Sequence, residues 1–332
     1  MSLSLIREKS ESLYRFPLTE KQAVFLSLIA HYSGYFTSDQ YQRFSGTTKQ
    51  NASSFLNKLK KANFVKSYSY ENGKRAYHLF SKSIYKVLGL LDNRHRRRHE
   101  IIYIKSKLMG LDFILSHLDL NFLATEQDRI HFFSSLNIPE ETLPVKRYKS
   151  PTSDKITRRY FVDKYPIFTA DNGGGFVVSF CYIDPVLYTT SGHFKTHLEN
   201  YRNLFQQLKN FRLIYISHDE FNIQTGKKIF EEFSSTLSSV GKISSVSVSP
   251  DMMDYFQIKR DIELEKYEKI TGERAGKYRL YLEKYASSDV QILYEKWMKS
   301  GTDEVENTAV DSGHFDSVLL PNRYRFLGGF CG

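Results

Sequence analysis

From Leu18 to Tyr32 the chain reads LTEKQAVFLSLIAHY, and Val24, Phe25, Leu28 and Ile29 fall on one face at helical spacing. Thr19 is placed to cap this helix just before Glu20. A second short helix is predicted over Thr37 to Phe44, with Tyr41 and Phe44 on its apolar side and Ser45-Gly46 as the following turn. In a third helix Ala52, Phe55, Leu56 and Leu59 make one stripe. Thr47 is its expected cap, Gln50 can close a capping box, and Asn63 ends it. FVKSYSY (64–70) and KRAYHLF (74–80) then alternate like strands about Asn72-Gly73, a hairpin signal. Ile84, Tyr85, Leu88 and Leu91 predict a fourth helix packed on this unit.

Past residue 92 the pattern becomes mixed. RHRRRH (94–99) is expected to open a long helix reaching about His117. NFLAT reads as a short strand, EQDRIHFFSSL as a helix, and LPVKRYKSPTSDKITRR (143–159) as a basic loop. YFVDKYPIFTA (160–170) and GFVVSFCYID (175–184) are predicted strands, joined by a turn over 171–175. HFKTHLENYRNLFQQLKN is an amphipathic helix and FRLIYIS an apolar strand. Residues 250–300 read as helices broken near Thr271-Gly272 and 286–288, and 300–317 as a polar, mobile stretch.

Three helices followed by a hairpin is the layout of a winged helix-turn-helix, expected over residues 15–92. Helix, strand, strand, strand, helix, strand, with one small inserted helix, is the core order of a restriction-endonuclease-like α/β domain, expected over 93–245. Residues 246–332 complete the chain as a helical C-terminal region with a mobile tail. The expected fold class is therefore mixed α+β.

Composition narrows the function. With 332 residues, 41% hydrophobic and 15% aromatic, the chain can bury a sizeable core. No stretch of apolar residues is long enough to span a membrane, so no membrane association is expected. The two cysteines, Cys181 and Cys331, are far apart and imply no disulfide framework, which suits a reducing cytoplasm. Residues 1–110 hold 20 Lys+Arg against 7 Asp+Glu, a net of +13, whereas the remaining 222 carry 27 against 30. All the excess positive charge lies in the first third, as expected of a polyanion-binding surface.

With its apolar stripe buried, the third helix would present Gln50, Ser53, Ser54, Asn57 and Lys61 outward, flanked by Thr48, Lys49, Lys58 and Lys60. Short polar groups and cations of this kind suit base edges and phosphates in a major groove. Lys74 and Arg75 at the hairpin tip, and Arg94, Arg96, Arg97 and Arg98, are further candidate phosphate contacts. Double-stranded DNA is the expected partner.

A nuclease site needs two or three carboxylates for Mg²⁺ and a lysine to orient water. Asp163 could be joined by Asp171 or Asp184, but no acid-x-Lys pair follows on the next strand. A non-catalytic scaffold is therefore expected, with a Mg²⁺-dependent nuclease as the alternative and a winged-helix protein-interaction adaptor as another. His193 and His197, four apart, read as helix-surface histidines rather than metal ligands, and no cofactor motif occurs.

The winged-helix pattern, the Arg-rich segment, RYFVDKYPIF, VVSFCYID and HFKTHLENYRNLFQQLKNFRLIYIS together resemble the replication-relaxation proteins of plasmids and integrative elements, over roughly residues 15 to 235. The resemblance implies a DNA-binding protein of a mobile element, acting in replication, mobilisation or transcriptional regulation. Its second domain would hold a homodimer interface or partners such as a relaxase, an integrase or replication proteins.

Overall fold

Helix α1 (Leu3–Glu11) lies against α2 (Glu20–Tyr32), where Ile6 packs with Val24 and Leu28. The computed structural model describes residues 2–70, 73–149, 156–171, 176–186, 191–208, 210–240, 250–264, 266, 270–285, 290, 294, 297–298, 313–321 and 323–327. The chain is a mixed α+β protein that divides into two units, residues 1–234 with 313–332, and residues 235–312.

In the larger unit, α2 is followed by β1 (Tyr35–Thr37), α3 (Ser38–Ser45), α4 (Lys49–Lys61), β2 (Val65–Ser69), β3 (Arg75–Leu79) and α5 (Lys82–Val87). Capping boxes start α2 at Thr19 with Gln22 and α3 at Thr37 with Gln40, each satisfying two otherwise orphaned amides. The Phe25 ring lies 5.4 Å from Phe36, 5.0 Å from Tyr41 and 5.3 Å from Phe44, and Tyr41 meets Phe55 at 4.3 Å. These contacts turn the Ala52, Phe55, Leu56 and Leu59 stripe of α4 inward, each of the Phe and Leu side chains contributing about 1.5–3 kcal/mol when buried. Strands β1, β3 and β2 form an antiparallel sheet in that order, and Gly73 at the hairpin turn has φ +68°. Glu71 and Asn72 lie outside the described residues.

Three local expectations change here. Thr48, not Thr47, caps α4, accepting from the Asn51 amide, so Gln50 closes no capping box. Thr47 instead extends the chain after Gly46, whose left-handed φ of +68° ends α3. Leu91 is 38% exposed because α5 stops at Val87 and Gly89 turns the chain at φ +71°, taking Leu91 off the helix face. RHRRRH does not open the long helix. Arg94–Arg96 is a short 3-10 turn, 97–100 is irregular, and α6 begins only at Ile101 (Ile101–Ser116).

Helix α6 carries the larger unit. Ile104, Leu108, Met109, Phe113 and Ile114 share one core with Tyr35 and Ala76 of the three-stranded sheet and with Phe168, Cys181 and Ile214 of a second sheet. That sheet is built from β4 (Asn121–Phe122), which precedes α7 (Glu126–Ser135), and later strands. These come after a separate two-stranded hairpin of β5 (Val145–Lys149) and β6 (Ile156–Tyr160). They are β7 (Ile167–Asp171), β8 (Phe176–Ile183), then α8 (Ser191–Gln207) and β9 (Phe211–Ser217), followed by α9 (Glu220–Val240). Pairings β4–β7 and β7–β8 are antiparallel, whereas β8 and β9 run parallel because α8 crosses between them.

The predicted basic loop 143–159 is thus largely a hairpin, with residues 150–155 outside the described set. The predicted strand 160–170 begins only at Ile167, because Phe161 and Lys164 adopt φ +49° and +54° and turn the chain. The turn residues 172–175 lie outside the description.

In the smaller unit α10 (Pro250–Glu263) and α11 (Gly272–Lys284) pack through Met252, Tyr255, Phe256 and Tyr285. Thr271 caps α11, at the predicted break; the break near 286–288 lies outside the described residues. Further along, within the stretch expected to be polar and mobile, β10 (His314–Leu319) belongs to the larger unit and pairs parallel with β9 from Arg212 to Ser217. Long-range pairing, invisible to local polarity, makes it a strand. Among the described residues no helix is long and apolar enough to cross a membrane.

Candidate nucleic-acid interface

The outward face of α4 carries Lys49, Gln50, Ser53, Ser54, Asn57, Lys58 and Lys61, all exposed. Thr48 is exposed too, but its hydroxyl oxygen caps the helix. No acidic residue occurs from Gly46 to Tyr70, so the stretch carries no carboxylate of its own to offset these cations. Lys58, Lys60 and Lys61 in the last turn also complement the negative end of the helix dipole.

At the end of the β2–β3 hairpin Lys74 and Arg75 are exposed. The Lys74 ammonium sits 5.5 Å above the Phe326 ring, and Tyr70 lies 5.9 Å from the same ring. The hairpin end therefore rests on the C-terminal segment, a contact that sequence spacing could not reveal.

The segment 94–99 is anchored by one buried side chain. His95 is buried, and its carbonyl accepts from Nε2 of the His78 ring at 3.1 Å, while His78 stacks on Tyr35 at 4.4 Å. Burial lowers the His78 imidazole to about 4. Gly34 makes this packing fit: at φ +77°, a Cβ there would lie 2.3 Å from the His95 carbonyl oxygen. With His95 inward, Arg97 and Arg98 are exposed and Arg94 and Arg96 half-buried. Arg98 lies 5.4 Å over the Tyr68 ring of β2, and Arg94 lies 5.1 Å over the Tyr148 ring of β5.

Behind Arg94 lies a cavity of about 520 Å³ whose lining includes Arg94, Arg129, Arg159 and Lys164. Burial first, then Lys107, Arg129 and Arg94, bring the Lys164 ammonium down to about 7, and its Nζ donates to the Asn93 side chain at 3.1 Å. Burial and Arg129 bring Lys107 down to about 8. Cations outnumber carboxylates throughout this zone.

A second cavity, of about 280 Å³, brings Asp163 and Asp184 together with His197 and Tyr182. Asp163 stands in the turn before β7. Its Oδ2 lies 2.9 Å from Nδ1 of His197, which is only 4% exposed rather than on the helix surface as expected. Burial raises the Asp163 carboxyl, but His197, Lys107 and Arg129 outweigh it and hold the group below the usual range. Asp184 is buried at the end of β8 and accepts from the Tyr215 hydroxyl at 2.7 Å and the Val186 amide at 3.1 Å. The side chain of Asp171 lies outside the described residues, and His193 is exposed on the cavity rim. Among the described residues no group of three His, Cys, Asp or Glu side chains is arranged to hold a metal.

No family model, curated protein or solved structure matches this chain.

Proposed function

We propose that the protein binds double-stranded DNA, with α3, Gly46 and α4 as a helix-turn-helix and β2–β3 as its wing. The observation that carries the reading is the α4 face: exposed amides, hydroxyls and cations, with no carboxylate from residue 46 to 70. The wing, the Arg-rich segment and the net charge of the first third support it. The five-stranded sheet, with its antiparallel meander and parallel crossover, supports a restriction-endonuclease-like scaffold. On this reading the protein serves a plasmid or integrative element in replication, mobilisation or regulation, as the replication-relaxation resemblance implies, and works in the cytoplasm without a catalytic cofactor.

The test is duplex binding by fluorescence anisotropy across a salt series. Affinity should fall steeply with salt, as counterions are released. Lys74→Glu with Arg75→Glu should weaken binding to all sequences alike. No binding at low salt would overturn the reading and favour a protein-interaction adaptor.

One observation favours a second reading. Asp163 and Asp184 line the same cavity, as the two carboxylates of a Mg²⁺-dependent nuclease would. No acid-x-Lys pair stands on β8, so catalysis remains the weaker proposal.

A further inference from the structure

The β5–β6 hairpin holds five cations, Lys146, Arg147, Lys149, Arg158 and Arg159, and no carboxylate among its ten strand residues. Its register sets Lys146 opposite Arg159 and Arg147 opposite Arg158. Like charges directly opposite one another destabilise a strand pair. A ribbon shaped for its own stability would alternate signs, and this one does not.

Nor does a core explain it. The hairpin is a two-stranded sheet of its own, and Val145 and Ile156 are 39% and 58% exposed. Two carboxylates touch its base. Glu126 meets Arg159 at 3.6 Å and accepts from the Tyr160 amide, and Glu140 accepts from the Tyr160 hydroxyl. Among the described residues, Lys146, Arg147 and Arg158 have no carboxylate within ion-pair distance.

The hairpin is also tied to the wing. Arg94 lies over Tyr148 of β5 and its Nη1 donates to the Tyr148 hydroxyl at 3.4 Å, while Arg98, four residues on, lies over Tyr68 of β2. One short segment thus places a guanidinium against each ribbon, Arg94 against Tyr148 of the hairpin and Arg98 against Tyr68 of the wing.

We propose that β5–β6 is a second DNA-contacting ribbon, lying on the phosphate backbone beside the site read by α4 and extending the footprint on one flank. The proposal rests on the DNA-binding reading. Phosphates would relieve the cation-against-cation pairs, which gives a physical reason for a ribbon that is otherwise poorly matched to itself. Each phosphate contact changes the slope of log affinity against log salt by about 0.9.

The experiment compares the full chain with Arg147→Ala/Arg158→Ala, Arg147→Lys/Arg158→Lys and the wing variant Lys74→Glu/Arg75→Glu. The readouts are salt slope and hydroxyl-radical footprint on a long duplex, with circular dichroism to check folding. The alanine pair should lower the slope by about 1.8 and shorten the footprint on one flank, and the lysine pair should restore both. An alanine pair with unchanged slope and footprint, while the wing variant binds weakly, would overturn the hairpin's role and leave the DNA reading standing. Absence of duplex binding by the unaltered chain would overturn both.

Discussion

The Tyr324 hydroxyl donates to the Asp112 carboxylate at 2.5 Å, tying the C-terminal segment to the middle of α6. Asp112 also accepts from Gln40 Nε2 at 3.0 Å and from Arg43 Nη2 at 2.5 Å, both on α3. The carboxylate is nearly buried, so these donors replace its water. One side chain thereby fixes the α3–α6 angle, and with it the α4 face that α3 precedes.

Tyr324→Phe should destabilise the fold by about 1–3 kcal/mol, because a nearly buried acceptor loses a donor. Asp112→Ala should cost more, since Gln40, Arg43 and Tyr324 all lose their common acceptor. Urea midpoints at neutral pH measure both. Equal small losses would show that the network is dispensable.

Asn57→Ala should cost about 1–3 kcal/mol on a cognate duplex and little on unrelated DNA, because it stands mid-face on α4. Ser53→Ala, one turn earlier, should behave the same way. A selected-sequence library supplies the cognate site, and competition titrations give the difference. Equal losses on both DNAs would mean that these side chains only position the helix.

Stability should decline as pH falls from about 6.5 to about 4. Burial brings the imidazoles of His31 and His78 to about 4 and holds His95 well below its ordinary value. In that window the unfolded chain binds protons that the folded chain refuses, so stability is present above the unfolded pKa and is lost on acidification. Each such group contributes up to about 1.4 kcal/mol per pH unit there. His78→Gln should flatten the dependence, measured as the urea midpoint at several pH values. An unchanged slope in that variant would remove His78 as a source.

Purified protein with Mg²⁺ or Mn²⁺ should not cleave single- or double-stranded DNA above the level of Asp163→Ala. Asp163 is held by His197, Asp184 by Tyr215, and β8 has no lysine two residues after an acid. Cleavage by the unaltered protein that vanishes in the variant would make the nuclease reading the right one.

Local pattern was enough wherever an element's neighbours along the chain decide its shape. The cap at Thr19, the break at Thr271-Gly272, the α4 stripe and the β2–β3 hairpin all follow from residues within a few positions of one another. So does the exposed polar face of α4, because burying Ala52, Phe55, Leu56 and Leu59 leaves the others nowhere else to point. Tertiary structure decided the rest. The β5–β6 ribbon has no buried face to impose alternation, so its sequence reads as a loop. Strand β10 exists through a parallel pairing with β9, about a hundred residues earlier, which local polarity cannot encode. The arginines of 94–98 are aimed by His95 packing against His78 and beside Gly34, not by a helical period. Asp163 meets His197, and Asp112 meets Tyr324, only because the sheet and α6 bring distant segments together; hydrogen bonding of that kind depends on position in space and leaves no spacing in the sequence.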